Sequence, residues 1–187
     1  MELLVARHGE TDWNAISRLC GRTDLPLNEN GKMQANVLAK ALQKLQLPID
    51  LIIASPLLRA QQTAGIVAER LNLPVQTEDR LIEQNYGDYE GGSTQNPDFI
   101  QNKRQFAYRY PNGESMLQVG YRVYSFLEEL KQRTELNRVL LVSHGGACRL
   151  LNTYFEDETN EAFFQWSMQN AELRRYTLPA PSLPVNN

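Results

Sequence analysis

The feature of this sequence that most constrains its fold is the alternation of short apolar runs with longer segments of helical periodicity. Residues 3–6, 51–54 and 138–143 are nearly continuous in apolar side chains, and each run stops at a polar turn. Such runs are typical of parallel strands buried on both faces. Strands that alternate with helices predict an α/β fold, here a single-domain three-layer αβα sandwich with a mainly parallel sheet.

Helical periodicity fills the intervals between these strands. We expect Asn28 to cap a helix that runs to about residue 45. Its expected apolar face consists of Met33, Val37, Leu38, Ala41, Leu42 and Leu45. After the second strand, Ser55 is expected to cap a helix that has Pro56 at its first position and runs to about residue 71.

In the later part of the chain, the sequence predicts one further helix and two short strands. Ser115 and Gln118 resemble a capping box at the start of a helix that runs to about residue 133. Residues 75–77 and 173–178 are expected to form short strands. No internal repeat is evident, so these elements are assigned to the same sheet and its covering layers.

Two segments show no clean period. Residues 84–113 are rich in glycine and proline, and we expect an irregular excursion with a short helix near residues 99–108. A stretch of this length is often functional. Residues 179–187 are expected to be a C-terminal tail that follows one domain spanning residues 1–178.

Composition narrows the classes of function. The chain has 187 residues and a formal net charge of −3, which favours neither a nucleic-acid partner nor an anionic membrane surface. No apolar run is long enough to cross a membrane, and the N-terminus lacks the basic region of a signal peptide. Cys20 and Cys148 are isolated and show no metal-type spacing, so we expect a reduced, cytoplasmic protein.

The two histidines of the chain occupy matching positions. His8 follows the first strand in the sequence Arg7-His8-Gly9, and His144 follows a later strand and precedes Gly145 at the start of a helix. In a parallel sheet, ligand sites gather where the carboxyl ends of strands meet their loops. A single histidine there would usually have a capping or packing role, but two at equivalent turns beside glycine favour an anion site. Arg59, in the first turn after the second strand, is expected on the same side of the sheet.

Four motifs in order resemble those of the histidine phosphatase superfamily, in its phosphoglycerate mutase-like branch. They span residues 3 to 150. The first motif is Arg7-His8-Gly9-Glu10-Thr11 with Asn14, and Gly21-x-x-Asp24-x-Pro26-Leu27-x-x-x-Gly31 follows it. The second is Ser55-Pro56-x-x-Arg59-Ala60-x-x-Thr63-Ala64. The third is Leu81-x-Glu83-x-x-x-Gly87-x-x-Glu90-Gly91, and the fourth is Ser143-His144-Gly145-Gly146.

The resemblance implies a role for each residue of these motifs. His8 would be the nucleophile that forms a phosphohistidine, and Glu83 would donate a proton to the leaving oxygen and then activate water. Positive charge and donors around the phosphoryl group would come from Arg7, Arg59 and His144. The residues expected to bind substrate are Asn14, Thr11, Gly21 and Gly145. The chemistry would need no cofactor and no metal, and the partner would be a small phosphorylated substrate.

The family contains both phosphatases and mutases, so the core motifs do not choose between them. Phosphoglycerate mutases carry a longer insertion with adjacent arginines between the glutamate and the second histidine. Here Glu83 and His144 are 61 positions apart and no Arg-Arg pair lies between them. The chain therefore resembles the broad-specificity and α-ribazole phosphatases more closely. A mutase is the alternative, and a catalytically silent protein that binds a phosphorylated ligand is a second one.

Residues 103–110 mix cations with aromatic side chains and allow two interpretations. They could form a lid whose basic groups meet the substrate while its rings exclude water. They could equally form an amphipathic segment with Phe106 and Tyr110 packed inward and the charges solvated. The sequence alone favours neither.

Overall fold

The computed structural model describes residues 1–45 and 48–180, and its strands and helices alternate as the sequence predicts. The strands are β1 (Glu2–Arg7), β2 (Leu51–Ala54), β3 (Val75–Thr77), β4 (Arg138–Ser143) and β5 (Leu173–Thr177). The helices are α1 (Asp12–Ala15), α2 (Glu29–Lys44), α3 (Leu58–Leu71), α4 (Pro97–Lys103), α5 (Met116–Leu130), α6 (Gly145–Asn152) and α7 (Asn160–Gln165). Of the predicted tail, residues 181–187 lie outside the described residues.

The five strands form one sheet in the order β3-β2-β4-β1-β5. β1, β2, β3 and β4 are parallel, and β5 pairs antiparallel with β1 at one edge. The central pair is β1 and β4, whose register places Arg7 opposite Ser143. The prediction of a mainly parallel sheet is confirmed.

Alternate residues of the central strands point to opposite faces, which produces the three layers. On one face, Leu4 and Ala6 of β1 pack in a cluster with residues of α2 and α3. On the other face, Leu3 and Val5 pack in a cluster with residues of α5, α6 and α7. The αβα sandwich expected from the sequence is therefore the observed architecture. Among the described residues, no helix has both the length and the apolar character needed to cross a bilayer.

The excursion between β3 and α5 has its own small cluster of aromatic side chains. Phe99 and Tyr110 are buried with Leu19, and their rings stack with centroids 5.5 Å apart. The helix within the excursion is Pro97–Lys103, earlier than the predicted 99–108, because Asn96 accepts hydrogen bonds from the first backbone N–H groups. This cluster holds one wall of the cavity described below.

The predicted starts and ends of several helices need correction. Ser55 does not cap α3, which begins at Leu58; the carboxylate of Asp24, from a distant loop, accepts the Leu58 N–H at 2.7 Å. Asn28 does cap α2, and Ser115 and Gln118 do form a capping box, although α5 ends at Leu130 and not near residue 133.

The predicted apolar face of α2 was partly wrong. Met33, Val37 and Ala41 are exposed, with 61% and 66% of the first two accessible to solvent. The buried residues of α2 are mostly small, which allows close packing against the buried alanines of α3. They are Gly31, Ala35, Leu38, Ala39 and Leu42.

Candidate active site

The central strand pair brings the two histidines together. His8 follows β1 and His144 follows β4, and the backbone N–H of His8 donates to the carbonyl of Ser143 at 2.9 Å. The two imidazole centroids are 5.0 Å apart and the ring planes are inclined by 56°. Both side chains are buried at the carboxyl edge of the sheet, where the sequence placed them.

The hydrogen bonds of His8 fix its tautomer. Nδ1 lies 2.6 Å from the carbonyl oxygen of Gly9, which can only accept, so Nδ1 carries the proton. Nε2 then has a free electron pair, and it accepts a hydrogen bond from Nε of Arg59 at 3.2 Å. Burial, reinforced by the charges of Arg59 and Arg7, lowers the pKa of His8 well below its ordinary value. The ring is therefore a neutral imidazole with Nε2 able to act as a nucleophile.

Arg59 is fully buried and connects His8 to the loop that precedes α2. Nη1 donates to the carbonyl of Thr23 at 2.9 Å, and Nη2 donates to the carbonyls of Gly21 at 2.7 Å and Cys20 at 3.4 Å. Three backbone carbonyls thus orient the guanidinium so that Nε points at His8. The predicted proximity of Arg59 to His8 is what the structure shows.

That loop is itself held by the carboxylate of Glu90. Its oxygens accept the N–H groups of Gly21 at 3.0 Å and Arg22 at 2.8 Å, and the hydroxyl of Thr23 at 2.9 Å. A Cβ on Gly21 would lie 2.2 Å from the Glu90 carboxylate, so the approach requires glycine. Gly21 thereby positions Arg59 and is not among the residues that line the cavity.

His144 is oriented by Ser55. Its Nε2 lies 2.6 Å from the Ser55 hydroxyl, and its buried Nδ1 makes no hydrogen bond within the described residues. Burial and the charge of Arg59 lower the pKa of His144 well below its ordinary value, so the ring is neutral. The sequence analysis treated Ser55 as a helix cap, whereas it contacts this histidine.

We expect Ser55→Ala to lower the free energy of unfolding by about 1–3 kcal/mol, because Nε2 of His144 would be left buried without a partner. Ser125→Ala, on the exposed face of α5, is the matched control and should change it by less than about 0.5 kcal/mol. Urea unfolding of both variants measures the difference. Equal effects would show that the Ser55–His144 contact contributes nothing.

Glu83 lies at the N-terminus of α6 and accepts three backbone N–H groups. Gln84 donates at 2.8 Å, Gly146 at 2.9 Å and Ala147 at 3.0 Å. A helix N-terminus favours a carboxylate there. A Cβ on Gly146 would lie 2.5 Å from this carboxylate, so glycine permits the contact. Glu83 is buried but borders the cavity, next to the loop that carries His144.

Arg7 and Asn14 supply further donors. Nη1 of Arg7 donates to the carbonyl of Met168 at 2.7 Å, while its Nε is buried and makes no hydrogen bond within the described residues. Oδ1 of Asn14 accepts the N–H of Thr11 at 3.1 Å in a capping box, so its amide N–H groups are left for other partners. Thr11 itself is fully buried and serves as the N-cap of α1.

These groups surround a cavity of about 350 Å³ at the carboxyl edge of the sheet. Five of the nine predicted site residues line it: Arg7, His8, Asn14, Glu83 and Gly145. The other four are not among its lining residues: Arg59 and His144 lie directly against the His8 ring, while Thr11 and Gly21 hold the adjoining loops. A larger cavity of about 840 Å³ lies by the first residues of β1, away from both histidines.

Several cavity residues were not predicted as site residues. Arg18, Lys103 and Arg149 line the cavity with hydrophilic neighbours such as Ser17 and Asn170. They come from a loop, the last residue of α4 and the middle of α6, so no short motif connects them. Burial, and then the charge of Arg149, lower the pKa of Lys103 to about 8.

Both interpretations of residues 103–110 hold for part of the segment. Lys103 borders the cavity, as the functional interpretation expects. Phe106 packs on Phe163 with ring centroids 5.0 Å apart, and Tyr110 is buried in the aromatic cluster, as the packing interpretation expects. Arg109 donates to the carbonyl of Gly113 at 2.9 Å and does not line the cavity.

The cysteines and acidic residues form no second site. Cys148 is buried in α6, where burial raises the pKa of its thiol to about 12, so it is a packed helix residue. Within residues 1–45 and 48–180, no group of three or more histidine, cysteine, aspartate or glutamate side chains is arranged to hold a metal ion.

Comparisons with known proteins agree with this geometry. A family model described as the histidine phosphatase superfamily (branch 1) matches residues 3–180. The chain is 37% identical over 149 residues to the uncharacterized phosphatase PhoE of Bacillus subtilis, covering 80% of this chain and 74% of that protein. It is 37% identical over 154 residues to a probable phosphoglycerate mutase, GpmB, of Yersinia pestis, covering 79% and 71%.

A solved structure gives the same result. The α-ribazole phosphatase of Shigella flexneri superposes with a TM-score of 0.79 at 28% identity, covering 94% of this chain and 89% of that one. The resemblance inferred from the four motifs, including the likeness to α-ribazole phosphatases, is therefore confirmed.

Proposed function

Because the chain belongs to the histidine phosphatase superfamily, and is thus an enzyme of a superfamily that contains phosphatases and mutases, we propose that it hydrolyses a small phosphorylated metabolite through a phosphohistidine on His8. The observation that carries the proposal is the state of the His8 ring. Its Nδ1 is bonded to the Gly9 carbonyl, and its Nε2 electron pair faces Nε of Arg59 at the cavity. A buried neutral imidazole fixed in this way is poised for nucleophilic attack.

In the first step, Nε2 of His8 attacks phosphorus, and the bond from phosphorus to the ester oxygen breaks. Glu83 gives its proton to the departing alkoxide, and the carboxylate that forms is stabilised by the three backbone N–H groups that it accepts at the start of α6. Nε of Arg59 releases its hydrogen bond to Nε2 of His8 and donates instead to an equatorial oxygen of the phosphoryl group. Nε of Arg7 and Nδ1 of His144, which have no partner within the described residues, donate to the other equatorial oxygens. This role requires that the Ser55 hydroxyl donate to Nε2 of His144, which places the proton of the neutral His144 ring on Nδ1.

In the second step, water attacks the phosphohistidine. The Glu83 carboxylate takes a proton from this water, the bond from phosphorus to nitrogen breaks, and His8 returns to its neutral form. Inorganic phosphate leaves, and Glu83 is again protonated for the next turnover. Asn14 adds a neutral amide donor at the same cavity.

Hydrolysis is proposed over transfer because the chain is compact between Glu83 and His144. These residues are 61 positions apart, and the interval lacks the longer insertion with adjacent arginines that phosphoglycerate mutases carry there. A mutase must retain its intermediate and exclude water while the phosphoryl group is returned to another oxygen. A silent phospho-ligand-binding protein would not require both His8 and Glu83.

The test supplies 3-phosphoglycerate with a trace of 2,3-bisphosphoglycerate and measures 2-phosphoglycerate and free phosphate separately. We expect phosphate release to exceed isomerisation. Isomerisation much faster than phosphate release would make the protein a mutase, and binding without either product would make it a silent binding protein.

We also propose that the reaction needs no metal, because protein cations and histidines supply the charge that a metal would otherwise provide. Activity should survive prolonged dialysis against EDTA, whereas vanadate should inhibit competitively by occupying the position of the phosphoryl group. Phosphate release before and after dialysis measures the effect. Loss of activity that one added metal restores would overturn this proposal.

A further inference from the structure

The outer part of the cavity carries cations that the phosphoryl chemistry does not use. Arg18, Lys103 and Arg149 all line it. No carboxylate of the described residues lies within salt-bridge distance of their charged nitrogens. Surface cations that lack a carboxylate partner are common, but three around one cavity form a local positive field.

The acidic residue in the lining offsets only part of this charge. Glu83 is the one carboxylate among the lining residues that the structure describes, and its two oxygens accept three backbone N–H groups. Arg7 and the buried Arg59 beside His8 already provide two positive charges for a phosphoryl dianion. The three outer cations therefore remain for another negative group.

One of these cations, Arg149, is held in place before any ligand binds. Nε of Arg149 donates to the carbonyl of Trp166 at 3.1 Å, and its guanidinium lies 5.7 Å from the centre of the Phe163 ring. Its Nη groups are not used by these contacts. Lys103 ends α4, which is anchored by Phe99 in the aromatic cluster. Pre-organised donors lose less entropy when they bind an anion.

The cations also lie nearer to solvent than the nucleophile. His8 is 2% exposed, whereas Arg18 is exposed and Lys103 and Arg149 are half-buried. A phosphate ester whose phosphoryl group reaches His8 must extend its alcohol part towards this outer region. The alcohol part is thus the portion of the substrate that meets the cations.

We propose that Arg18, Lys103 and Arg149 form a second anion subsite, so that the preferred substrate is a phosphate ester whose alcohol part carries another negative group, a carboxylate or a second phosphate. This inference rests on the proposed function, since it concerns the specificity of the same cavity. The subsite determines the affinity for the substrate and takes part in no chemical step.

Binding of non-hydrolysable phosphonates to the wild-type chain tests the inference without relying on turnover. Three probes differ in one group: propylphosphonate, 3-phosphonopropionate and ethane-1,2-diphosphonate. Calorimetry should show that at least one of the last two binds about tenfold more tightly than propylphosphonate. A preference for 3-phosphonopropionate identifies a carboxylate, and a preference for the diphosphonate identifies a second phosphate.

Substitution of single cations by glutamine, inside and outside the cavity, locates the subsite. Lys103→Gln and Arg18→Gln should each reduce the preference several-fold, whereas Arg104→Gln should leave it unchanged. Arg104 adjoins Lys103 in sequence and is exposed, but it does not line the cavity. Circular dichroism checks that each variant is folded, and exposed Arg18 provides a second variant if Lys103→Gln is unstable.

Equal affinity for all three probes would overturn the inference. So would a preference that Arg104→Gln reduces as much as Lys103→Gln, because net charge alone would then explain it. Phosphate release from p-nitrophenyl phosphate by the wild-type chain is measured in parallel. Binding preference without release would contradict the proposed function alone, and release without preference would contradict this inference alone.

Discussion

Replacement of His8 by alanine is expected to lower phosphate release by roughly 10⁴-fold or more, because the group that attacks phosphorus is removed. Arg59, which donates to Nε2 of His8, keeps its three bonds to backbone carbonyls in the variant. The fold around the site should therefore persist. Initial rates of phosphate release from p-nitrophenyl phosphate, together with the urea unfolding midpoint, separate loss of chemistry from loss of structure.

A covalent label provides the decisive control for this prediction. Wild-type protein quenched in alkali after mixing with ³²P-labelled substrate should retain acid-labile phosphate, and His8→Ala should retain none. The chain contains two histidines, so peptide mapping distinguishes label on His8 from label on His144. Label on His144, or on a serine or cysteine, would contradict the proposed mechanism.

Replacement of Glu83 by glutamine should slow hydrolysis of alkyl phosphates by roughly 10²- to 10⁴-fold, because the alkoxide would leave without a proton. The same variant should lose much less activity towards p-nitrophenyl phosphate, whose phenolate departs unprotonated. The comparison of the two substrates is the measurement. Equal losses for both would rule out the role of Glu83 as an acid in the first step.

A structural complication makes the comparison necessary. The Glu83 carboxylate accepts N–H groups from Gln84, Gly146 and Ala147, and the glutamine amide would turn an N–H₂ group towards one of these donors. The resulting displacement should affect both substrates alike. The ratio of the two losses therefore isolates proton transfer from any shift of α6.

The strands and the proximity of Arg7, His8, Arg59 and His144 were predictable from sequence because they depend on local signals. Apolar runs that end at Arg7-His8 and Ser143-His144 identify buried strands, and parallel neighbours place their carboxyl ends at one edge. Arg59 follows another such strand. These residues needed no knowledge of long-range packing beyond the sheet itself.

Predictions failed where the deciding contact was distant in sequence. Serine is a residue type that often caps helices, and the sequence therefore favoured Ser55 as the cap of α3. In the structure the carboxylate of Asp24 accepts the Leu58 N–H, and Ser55 contacts His144 instead. On α2, hydrophobicity favoured Met33 and Val37, whereas close approach to α3 selects smaller residues for the buried face. Neither the partner of Ser55 nor the buried face of α2 can be predicted from the neighbouring residues in the sequence.

Of the outer cavity, the sequence indicated only Lys103, in the lid interpretation of residues 103–110, and Arg18 and Arg149 were missed for a related reason. Arg18, Lys103 and Arg149 come from three separate segments, and each alone is typical of a solvated surface cation. Their convergence depends on the position of α4, which is set by the aromatic cluster around Phe99 and Tyr110. Irregular segments of this kind carry little periodicity from which a sequence-based prediction could proceed.

The pairing of β1 with β4 has a consequence for how the protein acquires activity during refolding. The two histidines are 136 positions apart, so the chain must close a very long loop before they can meet. Contacts of such sequence separation are associated with slow folding. Catalysis should therefore return no earlier than the formation of the central strand pair, and stopped-flow far-UV circular dichroism should detect helices before any turnover begins.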